Sequence, residues 1–238
     1  KKIGFNPKLF NEPFIKYFSK KINIDCIPLN NDLLNFLRKK KSLAIKKKFY
    51  TLDNSIVGQS SSSKLKNLKK YLDKNNINIM LVTSSENVAW LLNIRGQDSD
   101  FSPIPNCFLV IDKQMRIFLF CDLKKIDKKL KKKLKFVNFF EVNKLENFLL
   151  SVKHKDFSID GKTCSIFYKN IIKKNNNICR EIDPIYFFKS QKNGIEIKNT
   201  KKIHEYDGAA LTKFLFWIKN NFKKQKITEL TAQKKLLQ

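Results

Sequence analysis

One pattern of secondary structure occurs twice in this chain, and this repeat constrains the fold more than any other feature. Its first copy predicts a short strand at Ile3–Phe5, a helix over residues 11–21 and a second strand at Ile24–Ile27. Its second copy repeats the order strand, turn, helix and strand between Phe157 and Ile182. The copies begin 154 positions apart, from 3 to 157, which is too far for a solenoid and suits a duplicated domain. Residues 1–50 are therefore predicted to be the C-terminal remnant of the first of two similar domains.

A complete second domain is predicted at residues 57–186. It begins with a polar linker, Gly58–Ser63, and continues into a helix with an apolar face formed by Leu65, Leu68 and Leu72. Further on, strands at 107–111 and 116–120 are separated by a compact turn, which predicts an antiparallel hairpin. Strands and helices alternate elsewhere, so we expect an α/β fold with a mixed β-sheet flanked by helices.

The pattern changes after Pro184, where residues 188–238 are predicted to start a further domain that is truncated. Asn193 and Glu196 have the spacing of a capping box, and a long helix follows. Thr228 is predicted to cap another helix near the end of the chain. The long helix carries apolar residues at three- and four-residue intervals, namely Ile203, Tyr206, Ala210, Phe214 and Trp217.

The net charge of +28 suggests an anionic partner such as nucleic acid, but the distribution of lysine favours a simpler interpretation. Lys is spread along the whole chain and greatly outnumbers Arg, whereas nucleic-acid sites favour Arg with aromatic residues between the charges. The runs Lys39–Lys41, Lys46–Lys48 and Lys128–Lys133 are interpreted as solvated faces or loops. We therefore predict no nucleic-acid partner; a nucleic-acid binder would lose affinity steeply as salt rises.

The cysteines and the apolar segments predict a cytoplasmic protein. The five cysteines are odd in number, form no CxxC pair and resemble reduced core thiols. No apolar run approaches the roughly 18 residues of a membrane span, and the start of the chain has no signal-peptide pattern. We expect neither a membrane partner nor a disulfide framework.

Two segments resemble a known family. VTSSENVAWLLNIRGQD, residues 82–98, resembles the second domain of three-domain Xaa-Pro aminopeptidases, in which a strand leads into an AWLxNxRGxD segment. Residues 189–232, from KSQKNGIEIKNTKKIHEYDGAAL to ITELTA, resemble the start of that family's catalytic domain. IGFNP near the start is similar to a turn in its first domain, so the resemblance covers nearly the whole chain.

The resemblance implies a specific fold and activity. It implies creatinase N-terminal-type domains followed by the first helices of a pita-bread catalytic domain. The full-length protein is then expected to be a metallopeptidase that releases the N-terminal residue from peptides with proline in second position. It is expected to use two divalent metal ions, usually manganese, and to form a homodimer. The family's metal ligands, two Asp, one His and two Glu, would lie downstream of residue 238, so the segment itself is expected to bind no metal and to be inactive.

His204 is the one candidate site residue. It matches the His of the family's AHxxDG motif, and the resemblance implies that it contacts the substrate rather than the metals. Its imidazole would donate to the scissile carbonyl or stabilise the oxyanion. Without the resemblance, a lone His on a helix is more often simply packed or solvated. Asp207, three residues later, would orient the ring or be exposed, and we favour a structural role.

The remaining notable residues are predicted to be structural. Arg95 and Asp98 are interpreted as a loop-stabilising ion pair, and Trp90 and Trp217 as core residues. Ser60–Ser63 have no nearby base and are interpreted as linker. Ser84 or Ser85 is expected to cap the helix that follows. The alternative function is a pita-bread-like protein without metals that acts as a peptide- or histone-binding module.

Overall fold

The computed structural model describes residues 1–29, 47–180 and 182–237, which divide into two compact units. The first unit comprises residues 1–53 and 59–191, and the second comprises residues 54–58 and 192–238. The strands are β1 (Lys2–Phe5), β2 (Asp25–Pro28), β3 (Tyr50–Thr51), β4 (Ile79–Val82), β5 (Ile94–Arg95), β6 (Cys107–Asp112), β7 (Ile117–Cys121), β8 (Val137–Glu141), β9 (Asp156–Ser158) and β10 (Asn177–Arg180). The helices are α1 (Glu12–Ile22), α2 (Asn54–Val57), α3 (Ser61–Lys74), α4 (Ser85–Leu92), α5 (Lys128–Lys133), α6 (Lys144–Ser151), α7 (Ile166–Asn175), α8 (Pro184–Ser190), α9 (Gly194–Asn221) and α10 (Glu229–Leu236), and Leu123–Lys125 form a 3₁₀ turn.

A six-stranded mixed sheet organises the first unit. Its strand order is β10-β9-β4-β6-β7-β8, with β6 antiparallel to both β4 and β7 and the other neighbours parallel. The predicted hairpin is β6–β7, whose register pairs Cys107 with Cys121 and Ile111 with Ile117. The predicted α/β class with a mixed sheet flanked by helices is confirmed.

Helices cover both faces of this sheet. In β4, successive side chains point to opposite faces, and all four residues are buried. Met80 and Val82 pack with the apolar faces of α3 and α4, and the predicted stripe of α3 is buried there. Ile79 and Leu81 pack on the other face with residues of α6 and α7. Burial on both sides explains why β4 is apolar throughout instead of alternating.

The two copies of the repeated pattern form similar structures and contact each other. β1 and β2 pair in parallel around α1, and β9 and β10 pair in parallel around α7. The amides of Ile166 and Phe167 donate to the carbonyls of Phe10 and Pro7 at 2.9 and 3.0 Å. Lys169 adds an ion pair of 2.7 Å to Glu12 across the two helices. The repeat read from the sequence is therefore a packed pair of strand–helix–strand units.

The carboxylate of Glu12 is paired with two lysines. Lys16 and Lys169 both donate to it, at 2.7 Å each, and hold the pKa of Glu12 down at about 2. These contacts stabilise the carboxylate form. The contact with Lys169 ties the first copy of the repeat to the second.

The stretch Gly58–Ser63 is not the linker that the sequence predicted. Ser60 is the N-cap of α3 and accepts from Ser63 N at 3.2 Å, and Ser61–Ser63 already belong to the helix. Serine is a preferred cap because its short side chain accepts from a free amide of the first turn. The serine-rich composition therefore marks a helix start.

The second unit contains α2, α9 and α10 in the described part of the chain. The predicted capping box is confirmed: Asn193 accepts from Glu196 N, and Glu196 accepts from Asn193 N, both at 2.9 Å. Asn193 Nδ2 also donates to the Val57 carbonyl at 2.9 Å, which ties α9 to α2. The predicted cap of α10 at Thr228 is confirmed too.

The lysine runs are only partly described. Lys39–Lys41 and Lys46 lie outside the described residues. Lys128–Lys133 form α5, in which Leu130 is buried and the lysines are largely exposed. Within the described ranges no helix is both long and apolar enough to span a membrane.

Candidate functional site

His204 lies in the middle of α9 and is exposed. Its Nδ1 is 2.9 Å from the carbonyl oxygen of Thr200, one turn earlier. A carbonyl oxygen can only accept, so Nδ1 is the donor in this hydrogen bond. The bond fixes the ring against the helix and leaves Nε2 as the nitrogen that a ligand can reach.

This geometry limits what His204 can do. In the neutral ring with the proton on Nδ1, Nε2 is an acceptor, and it becomes a donor only when the ring carries both protons. The predicted donation to a scissile carbonyl therefore requires the imidazolium form. Asp207 is exposed, and the ring is bonded to the Thr200 carbonyl, so this geometry gives no support to an orienting role for Asp207.

The surroundings of His204 provide no metal site. Within the described ranges, no group of three or more His, Cys, Asp or Glu side chains could hold a metal ion. The described residues therefore do not fit a two-metal centre, and a metal would need ligands other than these. On its own, α9 offers one imidazole that can donate or accept a hydrogen bond.

Apolar residues of α9 remain uncovered. Within the described chain no residue of this helix is buried, and Ile203 and Tyr206 are 54% and 63% exposed. Trp217 stacks on Phe214 with centroids 6.2 Å apart but is only partly buried, so the prediction of a core residue is wrong for this chain. The described part of the second unit contains three helices, and these do not bury the apolar face of α9.

The AWLLN segment encloses a buried lysine that sequence reasoning missed. Lys64 in α3 is 1% exposed, and its ammonium lies 4.1 Å from the centroid of the Trp90 ring. Nζ also donates to the Trp90 carbonyl at 2.7 Å and to Asn93 Oδ1 at 2.6 Å. Burying an ammonium is unfavourable unless such acceptors and an aromatic face replace water. Trp90 packs against the core as predicted, and its role also includes this cation contact.

Asn93 fits this position for two reasons. It ends α4 in the left-handed conformation, with φ of 54°, which asparagine tolerates better than most residues. Its side chain accepts from Lys64 and donates to the Gln59 carbonyl at 2.9 Å. The signature asparagine therefore connects the start of α3 to the end of α4.

The predicted ion pair between Arg95 and Asp98 is wrong. Arg95 Nη1 donates to the carbonyls of Ala89 and Ile94 at 3.1 and 2.8 Å. Asp98 instead accepts from Lys125 Nζ and, at 2.7 Å, from Asn106 N. The two side chains therefore have separate partners, which their closeness in sequence did not reveal.

Gly96, between these residues, is required by close packing. A Cβ atom at this position would lie 2.6 Å from Pro105 Cα, closer than real Cβ atoms approach backbone. The Gly96 amide donates to the Pro103 carbonyl at 3.1 Å. The RGxD part of the signature therefore holds the loop that returns to β6.

A buried polar cluster joins α4 to α8. Asn87 Nδ2 donates to Asp183 Oδ2 at 2.6 Å, and Lys189 Nζ donates to Asn87 Oδ1 at 2.8 Å. Asp183 also caps α8 by accepting from Ile185 N at 2.8 Å. Burial raises the pKa of Asp183 to about 6, although the Asn87 and Ile185 donors oppose this rise.

Tyr186 extends this cluster to the start of α4. Its hydroxyl lies 3.1 Å from Ser84 Oγ and 3.0 Å from Glu86 Oε1. Burial raises the pKa of Glu86, but hydrogen bonds from Ser84, the Glu86 amide and Tyr186 outweigh it and leave this pKa below its ordinary value. Ser84 is at the N-cap position of α4, but its side chain makes no capping hydrogen bond. Ser85 Oγ donates to the Cys107 carbonyl at 3.2 Å instead, so the predicted serine cap is wrong.

The five cysteines are all free, as their number and spacing predicted. Cys107, Cys121 and Cys164 are buried core thiols, whereas Cys26 is half-buried and Cys179 is exposed, so the prediction of core thiols is wrong for these two. Burial raises the pKa of Cys107 well above its ordinary range and that of Cys121 to about 12. A thiol that keeps its proton is a poor nucleophile and a poor metal ligand. These two residues therefore act as core residues.

Comparison with known proteins places most of the chain in one family model. The family is described as the Creatinase/Prolidase N-terminal domain, and its model matches residues 40–196. That range includes the six-stranded sheet, the buried lysine and the polar cluster between α4 and α8.

Two curated relatives match with moderate identity. Xaa-Pro aminopeptidase 1 of Dictyostelium discoideum is 29% identical over 180 residues, covering 73% of this chain and 28% of the relative. A probable Xaa-Pro aminopeptidase P of Colletotrichum graminicola is 25% identical over 260 aligned positions, covering 100% of this chain and 42% of the relative. The chain thus spans less than half the length of these relatives.

A solved structure has a similar fold over almost the whole chain. The X-prolyl aminopeptidase of Caenorhabditis elegans, a cytosolic enzyme with a di-nuclear active site, matches with a TM-score of 0.84 at 22% identity. The match covers 99% of this chain and 40% of that protein. The similarity in fold therefore extends beyond the sheet to the helical C-terminal part.

Proposed function

This chain belongs to the Creatinase/Prolidase N-terminal domain family, and on that premise we propose that it is part of a metal-dependent Xaa-Pro aminopeptidase. The predicted resemblance to Xaa-Pro aminopeptidases is confirmed by relatives that carry this name. The full-length protein would release the N-terminal residue from peptides with proline in second position. The observation that carries this proposal is the match of the Colletotrichum graminicola relative along 100% of the chain, α9 and His204 included.

The proposed roles of the different parts of the chain follow the predicted domains. Residues 1–50 and 57–186 would belong to two creatinase-type domains that shape the substrate entrance and the dimer contact. Residues 188–238 would begin the pita-bread catalytic domain. The two divalent ions, with manganese as the proposed metal, would be bound by residues beyond 238, as the family resemblance implies. The described residues form no cluster that could hold a metal ion.

His204 is the proposed substrate contact. It is exposed on α9, and its Nδ1 is occupied by the Thr200 carbonyl, which leaves Nε2 for a ligand. As an imidazolium, the ring could donate from Nε2 to the carbonyl oxygen of the scissile bond and stabilise negative charge as it develops there. We propose that the segment alone is inactive; the described residues contribute this donor and form no cluster that could hold the proposed metals.

The test uses the full-length protein and two measurements. Metal content is measured by mass spectrometry, and release of the first residue from an Xaa-Pro peptide is followed with and without a chelator. We expect about two divalent ions per chain and activity that disappears on chelation and returns with Mn²⁺. A protein that binds peptides but neither binds metal nor hydrolyses them would instead support the peptide- or histone-binding module.

A further inference from the structure

An apolar hollow lies on the first unit, and its described lining includes no residue of the signature loop or of the Asp183 cluster. It has a volume of 480 Å³ and lies between α3 and the turn of the β6–β7 hairpin. Its apolar lining comes from Leu65, Met115, Ile117 and Phe136. Leu65 and Ile117 are 8% and 2% exposed, whereas Phe136 is 43% exposed at the mouth. The volume lies in the range of about 300–1000 Å³ that is typical of sites for small organic ligands.

Three lysines of α3 border this hollow. Lys66, Lys69 and Lys70 follow the helical spacing of three and four residues, so they share one face of α3. Lys69 is paired with Asp73, with both carboxylate oxygens at 2.6 Å from its Nζ. Lys66 and Lys70 are exposed, and no side-chain partner is found for either within the described residues.

The pair Lys66 and Lys70 places two positive charges one turn apart. Like charges at this spacing destabilise a helix, and an anion between them removes the repulsion. The hollow therefore combines an apolar interior with a positively charged edge. This combination complements a molecule that has a hydrocarbon portion and one anionic group.

The lining also distinguishes between alternative occupants. Apart from the lysines, Ser62 is the one polar side chain among the described lining residues. A peptide lying in the hollow would bring backbone amides against carbon atoms, where they lose hydrogen bonds to water without replacement. An alkyl chain has no such groups.

We propose that this hollow binds a free long-chain fatty acid. The alkyl chain lies against Leu65, Met115, Ile117 and Phe136, and the carboxylate lies between Lys66 and Lys70. This site is independent of the proposed peptidase activity, since none of its residues belongs to the second unit or to the signature segment.

The test measures oleate binding to the full chain by isothermal titration calorimetry, below the concentration at which oleate forms micelles. We expect saturable binding of one oleate per chain, with affinity about tenfold lower in Lys66→Gln/Lys70→Gln, corresponding to two solvent-accessible charge contacts. Phe136→Asp, which places a negative charge at the mouth, should weaken binding by a similar or larger factor. Oleyl alcohol, which lacks the charge, should bind more weakly than oleate.

The matched control is Lys128→Gln/Lys132→Gln on α5, which removes the same two charges at the same helical spacing outside the hollow. Its oleate affinity should stay within about twofold of the wild type, because distant exposed charges are screened by salt. Three results would overturn the proposal: no saturable binding of oleate, an equal loss in this control, or binding of an acidic apolar peptide without binding of oleate. The peptide result would identify the hollow as a protein-docking site.

Discussion

The ammonium of Lys64 lies 4.1 Å from the centroid of the Trp90 ring in the interior of the first unit. The same ammonium donates to the Trp90 carbonyl and to Asn93 Oδ1. One cation therefore contacts the ring and the carbonyl of Trp90 and the side chain of Asn93. The segment that carries the family resemblance thus has a structural role that is visible in this chain alone. It anchors the start of α3 to the end of α4.

Replacing Lys64 with Met tests this role. The methionine keeps much of the buried volume but removes the ammonium, so Asn93 Oδ1 and the Trp90 carbonyl lose a donor. Removing a charged donor from two buried acceptors should lower the free energy of unfolding by about 2 kcal/mol. Urea unfolding followed by circular dichroism measures the change. Lys66→Met, an exposed position of the same helix, should change it by less than about 0.5 kcal/mol; equal effects would show that the buried ammonium contributes nothing.

Gly96→Ala tests the close approach of the signature loop to Pro105. The added methyl would lie 2.6 Å from Pro105 Cα, so backbone must move, and we expect a loss of about 1–3 kcal/mol in unfolding free energy. Gly194→Ala is the control because, apart from its chain neighbours and the backbone of its own helix, no atom lies within 4 Å of the position that its methyl would occupy. That variant should be neutral or slightly stabilising. Similar melting temperatures for the two variants would contradict the packing argument.

Asp183 should make stability depend on pH. Its pKa is about 6 in the folded protein, above the ordinary value of 3.8, so folding favours the protonated form. The resulting stabilisation is fully present below pH 3.8 and is lost as the pH rises through 6. Relative to Asp183→Asn, the wild type should gain about 2 kcal/mol between about pH 7 and about pH 4. Parallel curves of unfolding free energy against pH for the two proteins over this range would show that burial does not raise the pKa of this carboxyl.

His204→Ala tests the proposed substrate contact in the full-length protein. If Nε2 stabilises charge that develops in the reaction, kcat should fall by about 100-fold or more while the metal content stays unchanged. The loss should appear in kcat rather than only in KM, because the contact strengthens in the transition state. His154→Asn is the control, since His154 is exposed with φ of 54°, a conformation that asparagine tolerates. Unaltered turnover in His204→Ala would reject the role.

Local signals in the sequence were sufficient for much of the fold. The hairpin turn before Ile117 and the Asn193–Glu196 capping box depend on residues close in sequence, and both were predicted. The repeated strand–helix–strand pattern was also visible, because apolar spacing reports local structure directly. The contact between the two copies, such as Glu12 with Lys169, was not visible.

The wrong prediction for Arg95 and the contacts that were not predicted share one physical origin. Arg95 and Asp98 are close in sequence, yet their partners are backbone carbonyls and Lys125, which the loop geometry brings together. Asn87 and Asp183 are separated by 96 positions, and nothing local marks them as partners. Lys64 looks like any surface lysine of α3 until Trp90 is placed beside it. Single-sequence patterns locate helices and strands, whereas partners of polar side chains depend on how those elements pack.

The central proposal is tested most directly by the specificity of hydrolysis in the full-length protein. Two peptides of equal length that differ only in the second residue, proline or alanine, are incubated with the Mn²⁺-loaded protein, and release of the first residue is quantified. The proposal predicts metal-dependent release from the proline peptide, with kcat/KM at least about 100-fold higher than for the alanine peptide. No release from the proline peptide by a metal-loaded, folded protein would contradict it.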